Sequence, residues 1–147
     1  MARIHLVACV KTKEDKPCKA RDLYKSDLFI KAKAYAEGNS GRWYILSAKY
    51  GLVDPDTVIE PYENTLNAMS SAQRAQWSDR VFEQLQPMLS AGDIVTFLAG
   101  KSYRDGLIPK LESLGVTVDI PMESLGIGEQ LSWLKKHDAH AAKALVR

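Results

Sequence analysis

The stretch Ile45–Leu66, ILSAKYGLVDPDTVIEPYENTL, carries more reactive side chains than a connector requires: Lys49, Tyr50, Asp54, Glu60, Tyr62, Glu63, Asn64 and Thr65. A carboxylate in such a loop can activate a water or stabilise a developing cation, and a lysine can meet a phosphate or a departing anion. Glu60 precedes Pro61, which biases its backbone to extended conformations and limits where the carboxylate can reach. Tyr24, Tyr50, Tyr62 and Tyr103 offer rings on which a base can stack, a contact worth about 1–3 kcal/mol per base in single-strand binders. Each residue also has a plain structural reading. Glu60 can pair with Lys49 or Arg21, Asp22 can cap a loop or helix, and the tyrosines can fill the core.

Two further segments carry candidate chemistry. Lys11, Lys13, Lys16, Lys19, Arg21, Lys25, Lys31 and Lys33 crowd the first quarter of the chain, a pattern that suits phosphates or a solvated face. Gly100, Lys101, Ser102 and Tyr103 follow an apolar run and open a helix, where free backbone N–H groups attract anions. This stretch lacks the glycine spacing of a P-loop or of a dinucleotide fingerprint, so NTP or NAD use has no support. His5, His137 and His140 form no evident set with the two cysteines, and neither a metal centre nor a Ser/His/Asp set emerges. No cofactor is expected.

Strands must position these groups. Arg3–Val10 is short, apolar and partly β-branched, and reads as a buried first strand. Lys11–Asp22 reads as a polar loop. The spacing of Leu23, Leu28, Phe29, Ala32 and Tyr35 predicts a helix over Ser26–Glu37, capped by Ser26 or Asp27. Trp43–Ser47 is the second strand and feeds the reactive excursion. Trp77, Val81, Phe82 and Leu85 mark one face of a helix from Ser70 or Ser71 to about Leu89, with Pro87 disturbing its last turn. Ile94–Ala99 is a third strand, Ser102–Leu114 a helix, Val116–Ile120 a fourth strand, Pro121–Gly128 a loop and Gly128–Ala144 a terminal helix.

Strands alternating with helices imply right-handed crossovers and a mostly parallel sheet. The expectation is a single three-layer α/β/α domain, residues 1–147, with a mostly parallel four-stranded sheet. Ser47 ends the second strand, so Lys11–Asp22, Lys49–Leu66 and Gly100–Tyr103 leave toward one edge, where open α/β sheets bind ligands.

Composition narrows the class. The chain has 147 residues, 46% hydrophobic and 26% charged, ordinary values for a globular protein with a continuous core. No run of about 18 apolar residues offers a membrane span, and the first residues show no signal-peptide pattern. A cytoplasmic protein is expected. Cys9 and Cys18 are then reduced thiols, Cys9 as a core residue and Cys18 beside cations that can lower a thiol pKa. A formal net charge of +2 is too small to announce nucleic-acid binding by itself.

CVKTK, ARDLYKSDLFIKAKAYAE, ILSAKYGLVDPDTVIEPYENTL and LGIGEQLSWL together resemble the small proteins of domain of unknown function family 6884, over nearly the whole chain. More distantly, Ser47, Ala48, Tyr50, Gly51, Leu52, Pro55, Pro61 and Tyr62, with Leu98, Ala99 and Tyr103, are similar in layout to the YaaA peroxide-stress proteins. That likeness implies DNA binding linked to oxidative protection, and invites comparison with the uracil-DNA glycosylase fold and with base-handling domains of tRNA modification. Glu60, Pro61 and Tyr62 imitate the order of an aspartate, proline and tyrosine in the glycosylases' water-activating loop. They lie on a different loop, and the helical hairpin of the larger YaaA proteins has no counterpart here.

The chemistry of these residues, beside the resemblance, leads to the expectation of a base-processing enzyme, an N-glycosidase or base-exchange enzyme. In it Glu60, Asp22 and Lys49 are catalytic, and Lys11, Lys13, Arg21, Tyr24, Ser47, Tyr50, Tyr62, Thr65, Gly100, Lys101 and Tyr103 bind substrate. The alternative is a noncatalytic DNA-binding, stress-protection protein. A nucleoside enzyme with no polymer partner also fits the modest charge. The expected partner is nucleic acid, DNA before RNA, or a nucleotide, with no membrane involved, the chain acting as a monomer or small homo-oligomer.

Overall fold

The computed structural model describes residues 2–8, 15–39, 42–63 and 65–137. The central strand β1 (Arg3–Ala8) buries Ile4, His5, Leu6 and Val7 in succession, so both of its faces are covered. It pairs in parallel with β3 (Arg42–Ser47) on one side and with β6 (Ile94–Leu98) on the other. β6 in turn pairs in parallel with β7 (Thr117–Asp119). These are the four strands expected from the apolar runs, and all run the same way.

The sheet differs from expectation in having a fifth strand. β4 (Gly51–Val53) returns antiparallel along the outer edge of β3, pairing Gly51 with Ser47, Leu52 with Leu46 and Val53 with Ile45. The order is therefore β4-β3-β1-β6-β7, a mixed sheet. The reversal is local chemistry: the Tyr50 amide donates to Ser47 Oγ at 3.0 Å. Gly51 then takes φ of 78°, a conformation that a side chain would strain.

Lys11–Asp22 is not wholly loop. β2 (Cys18–Lys19) pairs antiparallel with β5 (Val58–Ile59), and a short helix α1 (Ala20–Leu23) follows it. The Ala20 and Arg21 amides donate to the Thr57 and Pro55 carbonyls at 2.8 and 2.9 Å. The central excursion is thus stitched to the segment before the first long helix.

That helix, α2 (Asp27–Asn39), begins where the Phe29 amide donates to Ser26 Oγ at 3.2 Å and buries Phe29, Ala32 and Ala36. It packs on β1 and β3. α3 (Ser71–Leu85) opens with a reciprocal cap, Gln73 N–H to Ser70 Oγ and Ser70 N–H to Gln73 Oε1, and packs against β4. A 3-10 turn at Gln86–Met88 ends it at Pro87.

The single helix expected over Ser102–Leu114 is two: α4 (Lys101–Arg104) and α5 (Ile108–Ser113). Pro109 has no amide to donate and its ring would clash with the carbonyl of residue 105, so a continuous helix is disfavoured there. Gly106 lies in the break against Ser78 of α3, too close for any Cβ. α5 packs on β7, and α6 (Ile127–Lys136) packs on α2. The expected continuation of α6 to Ala144 lies outside the described residues. Among the described residues no helix is long and apolar enough to cross a membrane.

Candidate functional site

The connection leaving β1 leads to β3 on one side, and the connection leaving β6 leads to β7 on the other. Right-handed crossovers in opposite directions diverge at the carboxyl ends of β1 and β6, the position where open α/β sheets take ligands. A cavity of about 520 Å³ lies there. Ala8 at the end of β1, Gly100–Tyr103 after β6 and Ser26–Leu28 at the start of α2 line it, joined by Asn67, Ile127 and Leu131. Its walls combine apolar side chains with a few polar groups, the usual make-up of a small-ligand site.

The polar groups are set by their neighbours. Ser26 supplies the cap of α2, which leaves the adjacent Asp27 carboxylate exposed, with no hydrogen bond or ion pair to the described residues. Asp27 is the only carboxylate lining this cavity among the described residues. Ser102 Oγ donates to Asn67 Oδ1 at 2.7 Å and ties the loop after β6 to the end of the central excursion. Tyr103 is buried and packs edge-on against Trp77, ring centroids 5.6 Å apart. Lys101 is exposed and unpaired.

A second cavity of about 360 Å³ adjoins the first and shares Gly100 and Lys101 with it. It opens between the ends of β6 and β7 and is lined by Phe97, Arg104, Ile120 and the turn Met122–Leu125. A third, of about 340 Å³, lies between Ala48–Lys49 and the Gln73, Trp77 and Arg80 side of α3 and shares no lining residue with either.

Gly100, Lys101 and Tyr103 from the sequence-derived set therefore come together at the first cavity. Thr65 stands just before it, its Oγ1 accepting from the Ala68 amide at 3.3 Å and capping the 3-10 turn that carries Asn67. Lys49 lies at the third cavity, its Nζ 5.3 Å from the Tyr50 ring centroid. Glu60 and Asp22 are exposed and line none of these three cavities, and neither forms an ion pair. Lys49 and Glu60 are not among the residues that line the cavity with Gly100–Tyr103; Lys49 lies in the turn before β4, and the β2–β5 pairing holds the segment before Glu60. Lys11, Lys13, Cys9 and Asn64 lie outside the described residues.

The remaining members are structural in their contacts. Tyr24 and Tyr62 are buried and share a hydroxyl–hydroxyl bond of 2.5 Å, and Tyr50 packs edge-on to Tyr62 at 5.8 Å. Arg21 bridges Glu37 and Asp56, each at 3.0 Å, and lies over Trp43. Ser47 is buried, with its hydroxyl on Tyr50 and its carbonyl accepting from Trp77 Nε1 at 2.9 Å. Cys18 is half-buried.

The perturbed titrations lie elsewhere in the sheet. His5 is fully buried with neither ring nitrogen hydrogen-bonded, and its ring meets Tyr35 edge-on at 5.6 Å. Burial, with Arg3 adding to it against the opposing pull of Asp119, lowers its pKa to about 4. Asp93 accepts from the Ala2 and Ser90 amides, which holds its carboxyl below the usual range. Among the described residues no three His, Cys, Asp or Glu side chains gather as a metal site.

Asp27, Asn67, Ile127 and Leu131 were not singled out by sequence as ligand contacts. Asp27 reads there as a cap; only the observation that Ser26 makes the cap bond releases it. The match of residues 4–136 to the family of unknown function DUF6884 assigns the chain to that family. No curated protein matches the chain.

Proposed function

We propose that the protein handles a nucleobase-containing ligand, a nucleoside, nucleotide or strand end, in the cavity at the ends of β1 and β6, and processes it as an N-glycosidase or base-exchange enzyme. One observation carries the reading: an unpaired carboxylate, Asp27, stands in an otherwise largely apolar cavity at the topological switch point. Breaking an N-glycosidic bond builds positive charge on the sugar, which a carboxylate can stabilise directly or by activating water. In this reading Asp27 takes that role, because it lines the cavity at the switch point and Glu60 does not. Leu28, Tyr103, Ile127 and Leu131 supply apolar surface for a base, and Asn67 and Ser102 supply amide and hydroxyl groups for its edge.

In this reading the sheet lies between two helical layers, α2 with α6 and α3 with α5, as a three-layer base-handling frame. The protein works in the cytoplasm as a monomer or small homo-oligomer. The test is to incubate it with nucleosides, nucleotides, DNA and RNA bearing normal and modified bases, and to follow free base by mass spectrometry. Base release lost in Asp27→Asn and kept in Glu60→Gln supports the reading. Release abolished by Glu60→Gln alone returns the chemistry to the central excursion. Tight, salt-sensitive binding to DNA without release establishes the noncatalytic DNA-binding reading instead.

A further inference from the structure

We infer that the second cavity, between the ends of β6 and β7, is a phosphate site, and that Arg104 with Lys101 holds there the phosphate of a nucleotide whose base lies in the first cavity. The inference deepens the base-handling reading and rests on it for the position of the base. The anion site itself stands on a separate observation.

Arg104 is only 8% exposed and lines the second cavity. Its one side-chain hydrogen bond among the described residues runs from Nη1 to the Ala99 carbonyl at 3.2 Å, a neutral acceptor. No carboxylate among the described residues lies within ion-pair distance of it. A guanidinium partly withdrawn from water is stabilised by a counter-charge and by further acceptors. The fork of donors on arginine suits phosphate oxygens, which it grips in pairs. Packing leaves this cation one carbonyl partner beside an open cavity, and its remaining N–H groups keep access to solvent, where an anion can meet them.

Lys101 strengthens the argument because it lines both cavities and has no partner of its own among the described residues. Glu123, on the same cavity wall, is exposed and pairs with neither cation, so it does not neutralise the site. The two cavities meet at Gly100 and Lys101. A ligand with an apolar ring at one end and a phosphate at the other spans that junction. This is the chemistry of a nucleoside monophosphate or of a terminal nucleotide, and it sets such ligands above the bare nucleoside.

The test compares nucleosides, their monophosphates and inorganic phosphate by calorimetry, and follows the Arg104 Nε–Hε resonance by NMR in the same titrations. The expected result is monophosphate binding at least tenfold tighter than the nucleoside, with the Arg104 resonance shifting on addition of monophosphate. Arg104→Gln and the milder Arg104→Lys should both reduce that ratio toward one while nucleoside affinity holds. Should Arg104→Gln fail to fold, the resonance in the unaltered protein and the Arg104→Lys ratio still decide. Equal affinity for nucleoside and monophosphate, or an Arg104 signal indifferent to both phosphate probes, overturns the inference. Inorganic phosphate binding as tightly as the monophosphate overturns the nucleotide assignment and leaves a free-anion site. A shifted Arg104 signal with no nucleoside binding keeps the anion site and removes the base-handling reading.

Discussion

Two regions near the carboxyl ends of the strands have similar ingredients and opposite construction. In the central excursion, Tyr24, Tyr50 and Tyr62 close on one another, Ser47 accepts from Tyr50, and Arg21 reaches Glu37 and Asp56. The Tyr24, Tyr62 and Ser47 hydroxyls there are satisfied by neighbours, while Lys49 and Glu60 stand exposed and form no ion pair among the described residues. Around Gly100–Arg104 and the start of α2 the groups are fewer, but among the described residues Asp27 and Lys101 have no side-chain partner and the Arg104 side chain has only a carbonyl. Density of reactive residue types therefore marks a well-tied connection in one place, and unsatisfied charge beside a cavity marks the candidate site in the other.

The comparison breaks most easily through Asp27. Asp27→Asn should lower base release by about 10²–10⁴-fold, the usual contribution of a positioned acid or base. Nucleoside affinity should change little, and Glu60→Gln should leave release within about twofold, both read from initial rates and calorimetry. Comparable losses in the two variants would erase the distinction between the regions.

The tyrosine cluster should respond in stability and not in ligand binding. Tyr62→Ala removes a buried ring and should cost roughly 3–5 kcal/mol, whereas Tyr62→Phe should cost about 1–2 kcal/mol for the lost hydroxyl bond to Tyr24. Urea denaturation measures both. A selective loss of ligand affinity by Tyr62→Phe with stability intact would move the site back to this cluster.

His5 gives the next effect. Its pKa falls from an unfolded value of 6.5 to about 4 in the folded protein, so the unfolded chain takes up its proton first as pH drops. The contribution is complete above pH 6.5 and is lost as pH falls from 6.5 toward 4. The full shift corresponds to roughly 3 kcal/mol. Discounted for solvent screening, the effect to expect is about 2 kcal/mol. Urea midpoints measured across that range should flatten in His5→Leu; an unchanged slope would remove His5 as its source.

The smallest effect belongs to the β3–β4 turn. A Cβ at Gly51 would lie 2.6 Å from Gln84 Oε1 on a backbone with φ of 78°. Gly51→Ala should lower stability by about 1–2 kcal/mol in thermal melts while base release at saturating substrate holds.

How much of this was legible beforehand follows from the kind of signal each part carries. The four parallel strands and the starts of α2 and α3 are written in apolar runs and in Ser26 and Ser70, because strand burial and capping are local. β4 escaped because GLV directly after a tight turn has too few residues to show a period. The break between α4 and α5 was legible in Pro109 and was passed over. The cavity was half legible: Gly100, Lys101 and Tyr103 stand out after an apolar run, but Asn67, Ile127 and Leu131 reach it only through tertiary packing. Glu60 looked catalytic from its neighbours in sequence, and the β2–β5 pairing, a contact across some forty residues, holds its segment elsewhere.

The most direct test of the central claim is a backbone amide NMR titration with a panel of nucleosides and nucleoside monophosphates. The account predicts shifts concentrated at Ala8, Asp27, Asn67, Ser102 and Leu131, with the amides of Lys49 to Glu60 unmoved. Shifts confined to Lys49–Tyr62, with the cavity at the ends of β1 and β6 silent, would contradict it.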